Sequence, residues 1–148
     1  LSPLGGLLLA AAVLPASLVD PRTDAETKLL PGGTTQLVFF ATWCDACVAE
    51  FPALTELRDR FEPRGHRIVL VAVRTRQDAP RLRAFAEAHA LPGALLWDRD
   101  GAFAARLGVD ALPAHILLGP DGAEIGRWGG LEEGVEAAIR AAPSEVRR

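Results

Sequence analysis

Apolar positions along this chain follow two periods, and the change from one to the other is sharpest around residue 44. Residues 37–41 (Leu-Val-Phe-Phe-Ala) form an unbroken apolar run, rich in β-formers and short enough for a buried strand. Behind them Val48, Phe51, Leu54, Leu57 and Phe61 recur every three or four residues, the stripe of a helix buried along one side. Residues 67–73 (Arg-Ile-Val-Leu-Val-Ala-Val) predict a strand buried on both faces. Residues 79–90 predict a helix with Pro80 in its first turn. Leu82, Phe85, Ala86 and His89 share one of its faces, with His89 at the surface or boundary. Residues 94–97 predict a short strand, 98–101 a turn, and 102–107 a short helix ended by Gly108. Residues 115–118 and 123–128 predict a hairpin around Gly-Pro-Asp-Gly at 119–122, and 131–142 a closing amphipathic helix. Ahead of the central run, residues 14–20 and 26–30 flank a polar turn at 21–24 and read as a short β-hairpin.

The order is hairpin, β, α, β, α, short β, α, β, β, α. The first long strands are expected to pair in parallel and the last hairpin to add antiparallel strands. This predicts an α/β fold: a mixed central sheet with helices on both faces and an N-terminal β-hairpin. One domain is expected over residues 14–142, with a tail at 143–148. Residues 4–13 are apolar and end in small residues, with Ala10, Ala11 and Ala12 placed as a cleavage-like site. Residues 1–13 are therefore expected to be an export signal or a membrane-anchor remnant, although a charged leader is missing and the run is short of the about 20 residues of a span.

Composition narrows this picture only a little. The 148 residues suit a single domain, and 49% apolar content makes it globular. The net charge of −3 is mild, and Arg74, Arg76, Arg81 and Arg83 are balanced by nearby acids, so no nucleic-acid surface is expected.

The chemistry-bearing feature is the pair of cysteines, Cys44 and Cys47, the chain's two in all. They sit where strand hands over to helix, and free N–H groups at a helix start stabilise a thiolate. A disulfide closing so short a loop removes little chain entropy and makes a poor staple. A zinc site normally wants four ligands, and the three histidines, His66, His89 and His115, are scattered. A strand–Cys-x-x-Cys–helix unit is the expected context of a thioredoxin-like redox motif. Cys44, nearer the helix start, is the expected nucleophile. Cys47 lies further into the helix, where burial raises a thiol pKa, and is the expected resolving thiol. Glu50 is one helical turn beyond Cys47 and is a candidate acceptor for its proton. The alternative is an ordinary solvated helix glutamate.

The chain resembles the thioredoxin superfamily, and within it the TlpA/ResA-like extracytoplasmic thiol–disulfide oxidoreductases, over roughly residues 14–141. The resemblance rests on residues 38–47 (Val-Phe-Phe-Ala-Thr-Trp-Cys-Asp-Ala-Cys), Glu50-Phe51-Pro52, residues 108–113 (Gly-Val-Asp-Ala-Leu-Pro) and residues 119–122. It implies that Pro113 is a cis-proline facing the cysteines. Substrate-binding positions would then be Pro113, Leu112, through its backbone, and Trp43, which shields the edge of the site. It also implies no cofactor beyond the Cys44–Cys47 disulfide, and no metal. A protein disulfide is the expected substrate, with a membrane thiol carrier as electron donor, a periplasmic or other extracytoplasmic location, and a monomer. Thioredoxin's buried aspartate is replaced by Val38, and the threonine usual after the cis-proline by Ala114. Asp45, an acid beside Cys44, disfavours its thiolate and so favours a reductant; the resemblance implies that it serves the haem-site cysteines of apocytochromes c, as in cytochrome c maturation, or another exported protein. Two alternatives share the fold. A peroxiredoxin-like thiol peroxidase needs a threonine three residues before its cysteine, where this chain has Ala41, with Thr42 one residue later. A Sco-like copper-delivery protein spaces its cysteines one residue further apart, and His115 is the only histidine placed to assist.

Overall fold

In the computed structural model, which describes residues 18–27 and 32–143, the apolar run before Cys44 becomes an interior strand of a six-stranded sheet. The strands are β1 (Leu18–Val19), β2 (Thr34–Phe40), β3 (His66–Ala72), β4 (Ala94–Asp98), β5 (Ala114–Leu118) and β6 (Glu124–Trp128). Their spatial order is β1-β4-β3-β2-β5-β6. The pairs β2–β3 and β3–β4 are parallel, while β1–β4, β2–β5 and β5–β6 are antiparallel. The helices are α1 (Asp45–Ala49), α2 (Phe51–Phe61), α3 (Ala79–Ala88), α4 (Ala102–Arg106) and α5 (Glu133–Ala141). The mixed sheet expected from the pattern is present.

Period-2 alternation divides each strand between two faces. One face carries Val38, Phe40, Ile68, Leu70 and Leu95 against Phe51 and Leu54 of α2 and Leu82 and Phe85 of α3. Further along that face Leu117 meets Leu57 and Phe61 of α2 and Val135 and Ile139 of α5. The opposite face carries Leu37, Phe39, Val69, Val71, Leu96 and Ile116 against Phe103 of α4 and Leu18 of β1. Asp98 ends β4 fully buried, and its two carboxylate oxygens accept the N–H groups of Phe103 (3.1 Å) and Ala104 (2.8 Å). The start of α4 is thereby tied to the sheet.

Two expectations change. The stripe from Val48 to Phe61 is split into α1 and α2 at Glu50. Pro52 has no N–H to return to Val48, so the ladder is interrupted there and resumes with Leu54 N–H to the Glu50 carbonyl at 2.9 Å. Next, β2 begins three residues before the apolar run, with Thr34, Thr35 and Gln36 all buried. The N-terminal hairpin is present as the Val19–Glu26 bridge, and Leu18 and Val19 also pair with β4. The outer parts of that hairpin, residues 14–17 and 28–30, the segment expected as a signal or anchor at 1–13, and residues 144–148 lie outside the described residues.

Candidate active site

β2 ends at Phe40, and a short turn closed by Cys44 N–H to the Ala41 carbonyl (3.0 Å) delivers Cys44 to the N-cap of α1. Its backbone is extended there (φ −97°, ψ 97°), and its sulfur accepts the Cys47 N–H at 3.2 Å. A cap position normally held by an oxygen is thus occupied by sulfur, and the donor that would stabilise a thiolate is already aimed at it. The two cysteines are joined in a disulfide with Cα atoms 5.3 Å apart. Cys47 is 1% exposed and belongs to the apolar cluster under α2, whereas Cys44 is only partly buried at its edge. An attacking or attacked sulfur must be reachable, and of the two only Cys44 is.

Trp43 is exposed beside this cap. Its indole N–H donates to the Thr75 carbonyl at 2.9 Å, and the Arg76 guanidinium lies over its ring, 4.5 Å from the centroid. The hydroxyl of Thr42 donates to Gln77 Oε1 at 2.8 Å. The 75–77 loop is therefore strapped to the cysteine turn, and the Thr42 hydroxyl is turned to Gln77 rather than offered to Cys44. The Leu112–Pro113 bond is cis, and Ala114, the next residue, pairs with Phe39 near the end of β2. This register sets Pro113 beside the end of the strand that leads to Cys44. Leu112 packs on the cluster containing Cys47, as does Cys44.

Glu50 is not a solvated helix residue. The break between α1 and α2 is where it sits, and its carboxylate is turned inward with 20% of the side chain exposed. Oε1 accepts from His115 Nε2 at 2.8 Å and Oε2 from the Leu131 N–H at 2.6 Å. A Cβ at Gly130 would stand 3.2 Å from Oε2, so glycine there lets the loop close over the carboxylate. Burial pushes the Glu50 pKa up, but the hydrogen bonds from His115 and from the Leu131 N–H outweigh it and hold the group below the ordinary carboxylate value.

The histidines that look scattered in sequence are two-thirds assembled in space. His115 is fully buried, and its Nδ1 lies 3.0 Å from Gln36 Nε2. Gln36 Oε1 lies 3.0 Å from His66 Nε2, and His66 Nδ1 lies 2.7 Å from the Thr34 hydroxyl. A line of polar side chains, Glu50–His115–Gln36–His66–Thr34, thus crosses β5, β2 and β3 beneath the redox helix. Burial pushes the His66 pKa down to about 4, so its imidazole is neutral at neutral pH. His89 stays apart, stacked on Phe85 at the end of α3. Sequence reasoning missed Gln36, His66 and Thr34. The available signal was their spacing: Thr34 and Gln36 sit two apart, in phase with Val38 and Phe40, on the strand's face toward α2.

The profile of the AhpC/TSA family matches residues 22–123. The chain belongs to the AhpC/TSA family. It is 27% identical over 97 residues to the thiol–disulfide oxidoreductase ResA of Bacillus subtilis, covering 66% of this chain and 53% of that protein. It is 30% identical over 93 residues to the soluble secreted antigen MPT53 of Mycobacterium tuberculosis, covering 63% of this chain and 51% of the antigen. The chain spans about half the length of these curated relatives. Its fold matches the solution structure of a putative thioredoxin from Neisseria meningitidis with a TM-score of 0.71 at 20% identity, over 90% of this chain and 93% of that one. The thioredoxin-like fold and the TlpA/ResA-like likeness read from the motifs are both borne out.

Proposed function

We propose that this AhpC/TSA member is an extracytoplasmic thiol–disulfide oxidoreductase that works as a reductant of protein disulfides. The observation that carries the reading is Cys44 at the N-cap of α1, its sulfur reachable, bonded to a buried Cys47 in the first turn. In the reduced form the Cys44 thiolate attacks a substrate disulfide. One substrate sulfur becomes bonded to Cys44 and the other leaves as a thiolate that takes up a proton. Cys47 gives its proton to the Glu50 carboxylate as its sulfur attacks Cys44, releasing the second substrate thiolate and leaving the Cys44–Cys47 disulfide. Two electrons pass from the dithiol to the substrate, and a membrane thiol carrier restores them.

Glu50 is a weak base but an available one, because its lowered pKa keeps it unprotonated. Transfer from a thiol of ordinary pKa, about 8.5, to a carboxylate is uphill, so it is productive only as the Cys47 sulfur forms its new bond. Leu112, through its backbone before Pro113, offers an extended substrate segment a strand to pair with. Trp43 covers the flank. The extracytoplasmic location is supported by the secreted antigen among the relatives, and action on disulfides by the likeness to a thiol–disulfide oxidoreductase; haem-attachment cysteines of apocytochromes c are the substrate that the resemblance to TlpA/ResA-like proteins implies.

The direction rests on Asp45. An acid next to Cys44 opposes its thiolate, which stabilises the disulfide relative to the dithiol. The reduction potential of the Cys44–Cys47 pair against glutathione tests it. The expected value lies nearer the about −270 mV of thioredoxin than the about −120 mV of a strong oxidant such as DsbA. A value near the latter would reverse the direction.

A further inference from the structure

With a neutral His115 imidazole, the hydrogen-bond line under α2 has one consistent assignment. The Glu50 carboxylate has no proton to give, so His115 Nε2 must donate to Oε1 across 2.8 Å. Nδ1 of a neutral imidazole is then a lone pair, and the Gln36 amide donates to it across 3.0 Å. This commits the amide oxygen to accept from His66 Nε2–H at 3.0 Å, and leaves His66 Nδ1 to accept the Thr34 hydroxyl at 2.7 Å. Each link donates in the same direction, from Thr34 to Glu50, and each of these buried ring nitrogens and amide atoms has a partner. Such a line is not a route for protons, because an amide in its middle does not readily pass them. It is a lock: reversing any one link would leave two donors or two lone pairs face to face in a buried site.

The lock is anchored at both ends. At the far end Gly33 and Gly65, both with positive φ (64° and 86°), let the chains approach closely, so that the Thr34 N–H meets the Gly65 carbonyl at 3.1 Å and Thr34 pairs with His66. At the near end the 2.6 Å bond from the Leu131 N–H holds the second carboxylate oxygen.

We propose that His115 is a positioning residue for Glu50: fixed as the Nε2–H tautomer by the Gln36 amide, it holds the carboxylate inward, in place to take the Cys47 proton. The proposal rests on the reading of Glu50 as that acceptor and adds what keeps it there. A glutamate at a helix break has several rotamers and an exposed alternative. The imidazole donor selects one of them and leaves a lone pair on each carboxylate oxygen free to accept.

Two measurements test this. The first is the ¹⁵N imidazole NMR spectrum of the oxidised wild-type protein at neutral pH. His115 and His66 are both expected to be protonated on Nε2 alone, and a proton on Nδ1 of His115 overturns the assignment. The second is stopped-flow separation of attack from resolution, using a slow-resolving model disulfide. Glu50→Gln is expected to slow resolution about 10²-fold, the low end of what a positioned base contributes, with attack by Cys44 unchanged. His115→Leu should slow resolution to a similar extent, and the double variant should be no slower than either single one. His115→Gln, which supplies an amide N–H at the place of Nε2, should recover most of the rate. If Glu50→Gln is slow while His115→Leu keeps the wild-type rate, or if the two losses multiply, His115 does not act through Glu50. If Glu50→Gln itself resolves at the wild-type rate, the reading of Glu50 fails and the role of His115 with it.

Discussion

The two faces of β2 differ in what they ask of their residues. Toward α4 the strand presents Leu37 and Phe39 to an apolar cluster closed by Phe103, whose ring centroid is 5.7 Å from that of Phe39. Toward α2 it presents Thr34, Gln36, Val38 and Phe40, so the polar line enters the same layer as the apolar cluster around Cys47. Burial on the first face is non-directional, and any side chain of suitable volume and polarity satisfies it. Burial on the second is conditional, because each polar atom needs a named partner at hydrogen-bond distance. One face supplies stability and the other supplies geometry for the redox helix, a contrast that substitutions can test.

The largest effect is expected on the apolar face. Phe103→Ala removes a fully buried ring and should cost about 3–5 kcal/mol of unfolding free energy, read from urea titration. The ratio of attack to resolution rates should not move in the protein that remains folded. A changed ratio would mean that the two faces are coupled.

Acid should expose the polar face next. The folded pKa of His66, about 4, lies below its ordinary value of 6.5. Between these pH values the unfolded chain binds the proton and the native one does not, so stability rises with pH in that window and is lost on acidification. The full span is worth about 3 kcal/mol. Glu50, held below its ordinary 4.5, adds a loss of the same sign at lower pH, as its carboxylate protonates. Urea titrations of wild type and His66→Gln across this range isolate the histidine: the variant should be flatter from pH 7 to pH 5. Equal slopes would show that His66 is not buried as a neutral group.

The smallest of the three is Gln36→Leu. It keeps the volume and adds apolar area, but leaves His115 Nδ1 and His66 Nε2 facing no partner, for a net loss of about 1–3 kcal/mol. An unchanged stability would mean that the line is not a set of matched pairs.

The same contrast explains what could be read from the sequence. The apolar face and the helix stripes announce themselves, because burial of Leu37, Phe39, Val69 or Leu82 depends only on their own chemistry and period. The turn at Cys44 and the cis-proline at 113 were legible because short motifs fix them. The polar face was not legible. Thr34 and Gln36 look like the end of a loop until β3 and β5 are placed beside them. Their partners are 30 to 79 positions away along the chain, so only the register Thr34–His66 and Val38–His115 reveals the match. The break at Glu50 was carried by Pro52, a visible signal that the regular stripe of Val48, Phe51 and Leu54 outweighed. Glu50 itself was found by its distance from Cys47, but its partners, His115 and the Leu131 N–H, come from β5 and the loop before α5.

The central claim is that Cys44 is the sulfur that meets substrate and Cys47 the one that resolves, and it can be tested by trapping. Reduced Cys47→Ser protein is mixed with a disulfide-bonded model protein, and the products are mapped by mass spectrometry. A stable mixed disulfide on Cys44 is expected, with no adduct on the corresponding Cys44→Ser protein, whose remaining thiol is buried. An adduct on Cys47 of the Cys44→Ser protein, with none on Cys44 of the Cys47→Ser protein, would contradict the account.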